Sequence, residues 1–169
     1  MKLSSAVKSV LPVAILGLVA LGFAPTSAFA TTSVPTTFTV TATVQATCII
    51  SAGSLGFGTY TGVVLSSSST VSVTCTNTTP YNVGLDAGSF SGATVTTRKM
   101  TGPSSSSLGY GLFQNATWTT NWGNTVGTDT KTGTGSGAVQ NLTVYGQIPA
   151  GQYVTPGSFT DTITATVIY

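Results

Sequence analysis

The sequence contains no histidine and no glutamate, and its carboxylate side chains are those of Asp86, Asp129 and Asp161. Histidine is the commonest general base and metal ligand, and many hydrolases without it depend on paired carboxylates. The three aspartates stand far apart in the sequence. The ordinary role of such isolated aspartates is hydrogen bonding in turns and at strand ends. We therefore predict that the protein is not an enzyme and needs no cofactor and no metal.

Charge of either sign is scarce. Charged residues make up 5% of the chain, and the formal net charge is +2. This excess comes from Lys2 and Lys8, because Arg98, Lys99 and Lys131 balance the three aspartates. Nucleic-acid binding depends on several lysine or arginine contacts to phosphate, so no nucleic-acid partner is expected. A net charge near zero favours association, which makes self-assembly an early hypothesis.

Residues 1–30 have the three parts of a secretory signal peptide. Lys2 and Lys8 form a basic start, residues 10–24 are an apolar run, and Ala28-Phe29-Ala30 is a cleavage site with small residues. We expect cleavage after Ala30. An uncleaved membrane anchor is the alternative, but the run is shorter than the roughly 20 residues of a bilayer-spanning helix. No membrane span is expected in the mature chain.

The two cysteines are Cys48 and Cys75. An even number of cysteines in an exported chain indicates a disulfide, because the compartments outside the cytosol are oxidising. In the predicted strand Thr70–Thr76, Cys75 alternates in phase with Val71 and Val73, so its sulfur is expected to face the core. Two buried free thiols are the alternative.

Threonine, serine, glycine and valine dominate the rest of the chain, and alternation with a period of two predicts an all-β domain over residues 42–169. The longest alternation precedes and enters this domain. Apart from Thr36, even positions from 34 to 50 are apolar, and odd positions from 37 to 47 are threonine or glutamine. The run is much longer than a usual strand of about 5–6 residues. We expect one part to form a strand of its own domain and residues 31–41 to leave it.

Other strands are predicted where short alternating or apolar runs lie between turn signals. They are Leu55–Tyr60, Thr70–Thr76, Tyr81–Asp86, Thr94–Met100, Leu108–Gln114, Val139–Gly146 and Phe159–Tyr169. The serine runs at 66–69 and 104–107 and the segment Gly127–Gly137 are predicted to be loops, and Arg98-Lys99 a solvated strand edge. Many short strands at this spacing indicate a β-sandwich.

Several aromatic residues allow two interpretations: Tyr110, Phe113, Trp118, Trp122 and Tyr145. They could form a platform on which sugars stack, or they could belong to the core and anchor loops. The core interpretation is favoured, because aromatic side chains dominate the cores of β-sandwiches.

A set of short motifs extends over nearly the whole mature chain. They are Cys48-Ile49-Ile50, Leu55–Tyr60, Val73–Thr76, Arg98-Lys99-Met100, Leu108-Gly109-Tyr110, Trp122-Gly123-Asn124, Val144–Gln152 and Gly157–Thr162. Together they resemble the spore coat protein U domain family, the subunit type of archaic chaperone–usher pili. The resemblance implies an incomplete immunoglobulin-like β-sandwich, which lacks its last strand and is completed by a donor strand from another subunit.

The resemblance also implies partners and a function. A periplasmic chaperone would first fill the groove left by the missing strand. At an outer-membrane usher, residues 31–41 of the next copy of the protein would replace it, with Val34, Thr36, Phe38 and Val40 in successive pockets. The expected protein is a structural subunit of a surface pilus, exported through the periplasm, which supports adhesion and biofilm formation and can carry a tip adhesin. The alternatives are a spore or cyst coat protein, or an adhesin module that binds carbohydrate or a surface.

Overall fold

A computed structural model of the protein describes residues 29–169. The predicted signal peptide, residues 1–30, lies outside them except for Phe29 and Ala30. The chain divides after Thr41 into two units, the second of which is Ala42–Tyr169. In the described part of the first unit, residues 29–41, the chain has no regular secondary structure and its side chains are exposed.

The second unit is built from eight β-strands and a short 3₁₀ turn, Pro103–Ser105. The strands are β1 (Cys48–Ala52), β2 (Leu65–Cys75), β3 (Pro80–Leu85), β4 (Arg98–Thr101), β5 (Ser107–Phe113), β6 (Lys131–Thr134), β7 (Gln140–Ile148) and β8 (Ala165–Ile168). They form a five-stranded sheet in the order β1-β2-β7-β5-β4 and a three-stranded sheet in the order β6-β3-β8, with antiparallel pairing throughout. The all-β prediction is confirmed.

The core contains buried side chains from strands of both sheets. The buried hydrophobic residues are Val71, Val73, Cys75, Tyr81, Val83, Leu85, Leu108, Tyr110, Leu112, Trp122, Val144 and Ile148. Trp122 is completely buried, and its indole Nε1 donates a hydrogen bond of 2.8 Å to the carbonyl oxygen of Val83. This bond satisfies the one polar atom of the side chain. The core interpretation thus holds for Trp122 and Tyr110, whereas Trp118 is 36% exposed.

Two segments predicted as loops are strands. The run Ser66–Ser69 lies inside β2, and the Oγ atoms of Ser67 and Ser69 donate to the carbonyl oxygens of Gly56 and Gly53. These bonds give the serine hydroxyls partners in an extended chain, which the loop prediction overlooked. Strand β6 lies inside the predicted loop Gly127–Gly137.

A close approach explains why glycine occurs inside β6. A Cβ atom at Gly133 would collide with the Tyr81 ring, so the glycine lets this buried ring lie against the strand. Conversely, the predicted strand Leu55–Tyr60 is not a regular strand. Three of its side chains, Leu55, Phe57 and Tyr60, nevertheless pack against the core.

The predicted strand Phe159–Tyr169 is divided between the two sheets. Thr160 forms a bridge to Thr101 at the end of β4, with backbone hydrogen bonds of 2.8 and 3.0 Å in the two directions. Farther on, β8 pairs with β3 in the other sheet. Residues 161–164 therefore connect one sheet to the other, which is why regular pairing stops there.

The prediction of a solvated edge at Arg98-Lys99 is wrong for Arg98. This arginine is 1% exposed, whereas Lys99 is exposed and its Nζ lies 5.4 Å from the centroid of the Phe90 ring. The Arg98 guanidinium donates to four backbone carbonyl oxygens, those of Leu85, Asp86, Val95 and Trp122. Burial of the charge is tolerated because these bonds replace the hydrogen bonds that the guanidinium would make with water.

Candidate functional site: a groove between the two sheets

Two adjoining cavities of about 430 and 760 Å³ form a groove. The smaller lies between the two sheets, and the larger continues it along the five-stranded sheet. They share Leu55, Phe57, Met100 and Phe159 as lining residues. The smaller cavity extends to core residues of both sheets, among them Val71, Tyr110, Leu112, Val144 and Leu85. The larger one extends past Tyr60, Leu108, Ile148 and Val154. The groove therefore opens directly onto the hydrophobic core.

The groove is lined by residues of the hydrophobic core that the subunit leaves partly exposed. Leu55, Phe57, Met100, Phe159 and Ile163 pack against the buried cluster but are only half-buried. Removing apolar surface from water is favourable, so these side chains gain by contact with a further apolar segment. A β-sandwich with such a gap is incomplete.

Two strand edges border this gap. Within residues 29–169, β1 is hydrogen-bonded to β2 alone and β8 to β3 alone. The smaller cavity is lined on one side by residues 52–55 at the end of β1 and on the other by residues 159–163, which lead toward β8, and by Ala165 at its start. Edge strands have unpaired N–H and C=O groups that can pair with an added strand. The groove thus offers both apolar pockets and backbone partners.

Cys48 and Cys75 are joined by a disulfide in the structure. The two residues are directly opposite each other in the register of β1 and β2, with Cα atoms 4.1 Å apart. Cys75 is buried and Cys48 half-buried, so the bond lies at the boundary of the core. It attaches the edge strand β1, beside the groove, to the interior of its sheet.

Loss of this disulfide is expected to reduce the amount of folded subunit. The bond closes a sequence separation of 27 residues, and such a bond stabilises a domain by roughly 3–4 kcal/mol. Cys75→Ala should therefore lower the amount of subunit delivered to the cell surface, and Cys48→Ala should lower it equally. Thiol labelling of denatured wild-type protein should detect no free thiol. Two labelled thiols in freshly secreted wild-type protein would contradict the prediction.

The residues predicted to act as a donor strand lie in the first unit and its described segment 29–41. Val34, Phe38 and Val40 are 88%, 86% and 81% exposed, and Thr36 is exposed as well. The same phase continues in the second unit with Val44, which is 86% exposed. Three large apolar residues in one phase of an exposed segment are a feature that burial in a partner would explain.

A polar network beside the groove is the feature that sequence reasoning missed, because it treated Asp161 as an ordinary turn or strand-end residue. The Asp161 carboxylate accepts hydrogen bonds from the Tyr110 hydroxyl at 2.6 Å and from the Ser89 N–H and Oγ at 2.7 Å each. Burial alone would raise the pKa of Asp161, but the bonds from Tyr110, Ser89 and Thr162 outweigh it and lower the pKa. The signal in the sequence was the motif Gly157–Thr162, which contains Asp161.

Burial and nearby polar groups also shift the pKa values of Tyr110 and Arg98. Burial raises the pKa of the Tyr110 hydroxyl strongly, and its hydrogen bond to Asp161 raises it further. Burial lowers the pKa of the Arg98 guanidinium, while the nearby Tyr110 and Asp86 act in the opposite direction. Arginine remains protonated in proteins. The network therefore holds Asp161 as a carboxylate and Tyr110 as a neutral donor.

The architecture defines a class: a β-sandwich that lacks a strand and has an apolar groove along the gap. The sequence-family model of the Spore Coat Protein U domain matches residues 34–166, and the chain belongs to this family. Protein U of Myxococcus xanthus is 35% identical over an alignment of 130 positions that covers 69% of this chain and 72% of that protein. The family is structural rather than enzymatic.

A solved structure has a similar fold. It is the crystal structure of the CsuC–CsuE chaperone–tip adhesion subunit pre-assembly complex from archaic chaperone–usher Csu pili of Acinetobacter baumannii. One of its chains matches 75% of this protein with 26% identity and a TM-score of 0.55. The match spans 40% of that chain's length.

Two further observations concern the described part of the chain. No helix within residues 29–169 has the length and apolar character needed to cross a membrane. Over the same residues, no group of three or more histidine, cysteine, aspartate or glutamate side chains could hold a metal ion.

Proposed function

We propose that this protein is a structural subunit of a surface pilus, assembled by a chaperone–usher pathway through donor-strand exchange. The observation that carries the proposal is the open groove between β1 and the segment leading into β8, with half-buried core residues along it. Such a groove accepts an extended segment, whose backbone pairs with the edges while alternate side chains enter the pockets.

The chain contains a segment suited to such a groove. Val34, Thr36, Phe38 and Val40 fall on one side of an extended chain, since successive side chains of a strand point in opposite directions. No residue from 31 to 47 is charged. The groove lining matches this neutrality, because the one charged side chain that residues 29–169 contribute to it, that of Asp161, is hydrogen-bonded to its own domain. Residues 31–41, and in the same phase Val44, are therefore proposed as the donor strand of a neighbouring copy.

Partners follow from the order in which the groove is filled. A periplasmic chaperone covers it first, and an outer-membrane usher then exchanges the chaperone's strand for that of the next copy of the protein. The similarity to a chaperone–tip adhesion subunit pre-assembly complex supports a chaperone partner. A tip adhesin at the fibre end is a further partner. The proposed location is the cell surface after export through the periplasm, and the proposed role of the fibre is adhesion and biofilm formation.

A coat protein is the second candidate, because the name of the family refers to a spore coat. The same groove and donor segment would then link copies within a coat layer rather than in a fibre. An adhesin module is less favoured, since Tyr110 and Trp122, two of the aromatic residues considered for sugar stacking, are buried.

Electron microscopy of cells with and without the gene tests the proposal. We expect thin fibres on the wild type, their loss in the deletion strain and their return when the gene is supplied again. Antibody labelling should decorate the fibres along their length, because the proposed subunit is repeated in them. Labelling of a continuous layer around spores or cysts, with unchanged fibres, would favour the coat function and contradict the pilus.

A further inference from the structure

We propose that Asp161 is a positioning residue that holds one wall of the groove in place before any strand enters, and thereby decides how readily the groove accepts one. The inference rests on the proposed function, because it concerns how the same groove is filled. It starts from the segment Phe159–Asp161, called here the 159–161 anchor, which joins the two cavities and begins the crossing between the sheets.

Each residue of the 159–161 anchor is fixed by a different contact. The Phe159 ring lies so close to Gly102 that a Cβ atom there would collide with it. Thr160 makes its two backbone hydrogen bonds to Thr101. Asp161 is held through its side chain. Because each of three consecutive residues is held by its own contact, both the position and the direction of the chain are fixed at this point.

The Asp161 carboxylate is fully used by these contacts. Oδ1 accepts from the Ser89 N–H, the Ser89 Oγ and the Thr162 N–H, and Oδ2 accepts from the Tyr110 hydroxyl. Gly88 lies beside it at a φ of +84°, where a Cβ atom would collide with the carboxylate. An oxygen pair with four donors and a glycine packed against it is not free to bind a ligand. Its contribution is to hold the chain.

The wall beyond the anchor depends on this attachment. Residues 161–164 belong to no regular strand, and residues 159–163 line the smaller cavity. The next attachment is at Thr164, whose carbonyl oxygen and N–H bond to the backbone N–H and the side-chain Oδ1 of Asp86, at 3.1 and 3.0 Å. An apolar groove tends to close on itself, because its side chains are stabilised by leaving water. The two attachments oppose that closure and keep Ile163 at the side of the groove.

The test uses the subunit purified in complex with its chaperone and a synthetic peptide of residues 31–47. The rate at which the peptide replaces the chaperone is followed by native gel and intact mass. We expect Asp161→Asn to slow replacement about tenfold, which corresponds to about 1.4 kcal/mol of activation free energy. Asp129→Asn is the matched control. It makes the same charge change at a carboxylate that accepts a backbone N–H, that of Thr125, but lines neither cavity.

A second readout separates positioning from general stabilisation. Once the peptide is in place it holds the wall itself, so the peptide-filled Asp161→Asn subunit should melt within a few degrees of the filled wild type. Tyr110→Phe, which removes one donor and leaves the ring, should slow replacement by a smaller factor and keeps the test available if Asp161→Asn does not fold.

The possible failures are distinguishable. A wild-type subunit that never takes up the peptide would contradict the proposed function and this inference with it. Uptake by the wild type and by Asp161→Asn at equal rates would overturn this inference alone. This inference would also be overturned if Asp161→Asn lowered the melting temperature, relative to the wild type, by as much in the peptide-filled subunit as in the subunit without peptide.

Discussion

Phe38→Asp is expected to abolish fibre assembly while leaving the subunit itself folded. Phe38 is 86% exposed, so the substitution removes no contact within the subunit's core. In the proposed fibre, however, the ring is buried in the groove of the next copy, and burial of a phenylalanine stabilises by roughly 1.5–3 kcal/mol. A carboxylate in that position would lie unpaired against apolar side chains, at a far greater cost. Every joint of the fibre would carry the same defect.

Thr39→Asp is the matched control for this prediction. It introduces the same charge one position farther along, in the opposite phase of the alternation, where the side chain faces away from the groove. We expect Thr39→Asp to build fibres and Phe38→Asp to accumulate as a complex with the chaperone. Unboiled gels should show a ladder of oligomers for the wild type and the control but not for Phe38→Asp.

Removal of the segment gives the strictest form of the test. A variant that lacks residues 31–41 but keeps the disulfide should behave like Phe38→Asp. Fibres of normal length built by this variant would mean that the donor strand lies elsewhere in the chain. Equal assembly by Phe38→Asp and Thr39→Asp would mean that the alternation does not determine which side chains are buried.

Much of the fold could be predicted because the strands of the second unit follow a regular period. In β2, the buried positions Val71, Val73 and Cys75 alternate with half-buried ones, as the sequence indicates. The groove itself could not be read from a period. It depends on Leu55, Phe57 and Phe159 from segments that are not regular strands, and their meeting point is set by the tertiary structure.

The failures of the sequence predictions have physical reasons. Ser66–Ser69 and β6 lack the apolar alternation of a strand. The serine run is extended because Ser67 and Ser69 donate hydrogen bonds to a neighbouring segment. Strand β6 is extended because it pairs with β3, and its Gly133 leaves room for the Tyr81 ring. The burial of Arg98 was hidden for a related reason. Its four acceptors are carbonyl oxygens, which every residue has, so no partner side chain in the sequence indicates the site.

Arg98→Met is expected to be among the most destabilising single substitutions in the second unit. The guanidinium donates to the carbonyl oxygens of Leu85, Asp86, Val95 and Trp122 at 2.6 to 2.8 Å. Methionine keeps much of the apolar stem but donates no hydrogen bond. Because each unsatisfied buried group costs about 1–3 kcal/mol, the loss of several at once approaches the whole stability of a typical domain, about 5–15 kcal/mol.

The neighbouring position supplies the control. Lys99 is exposed, and its contact with the Phe90 ring is a cation–π interaction of the kind that contributes about 0.5–1 kcal/mol at exposed sites. Lys99→Met removes the same formal charge one residue away and should lower the free energy of unfolding by no more than that. Arg98→Lys keeps the charge but loses the planar fork of donors, so it should be intermediate between Arg98→Met and the wild type.

Denaturant unfolding of the purified, disulfide-bonded mature protein measures all three variants on one scale. The order expected for the free energy of unfolding is wild type, then Lys99→Met, then Arg98→Lys, with Arg98→Met lowest or too unstable to purify. If Arg98→Met cannot be purified, Arg98→Lys still tests whether the directed hydrogen bonds of Arg98 are needed. If Arg98→Lys is as stable as the wild type, a charge at this position is sufficient, and the four directed hydrogen bonds do not hold the ends of β3 and β4 together.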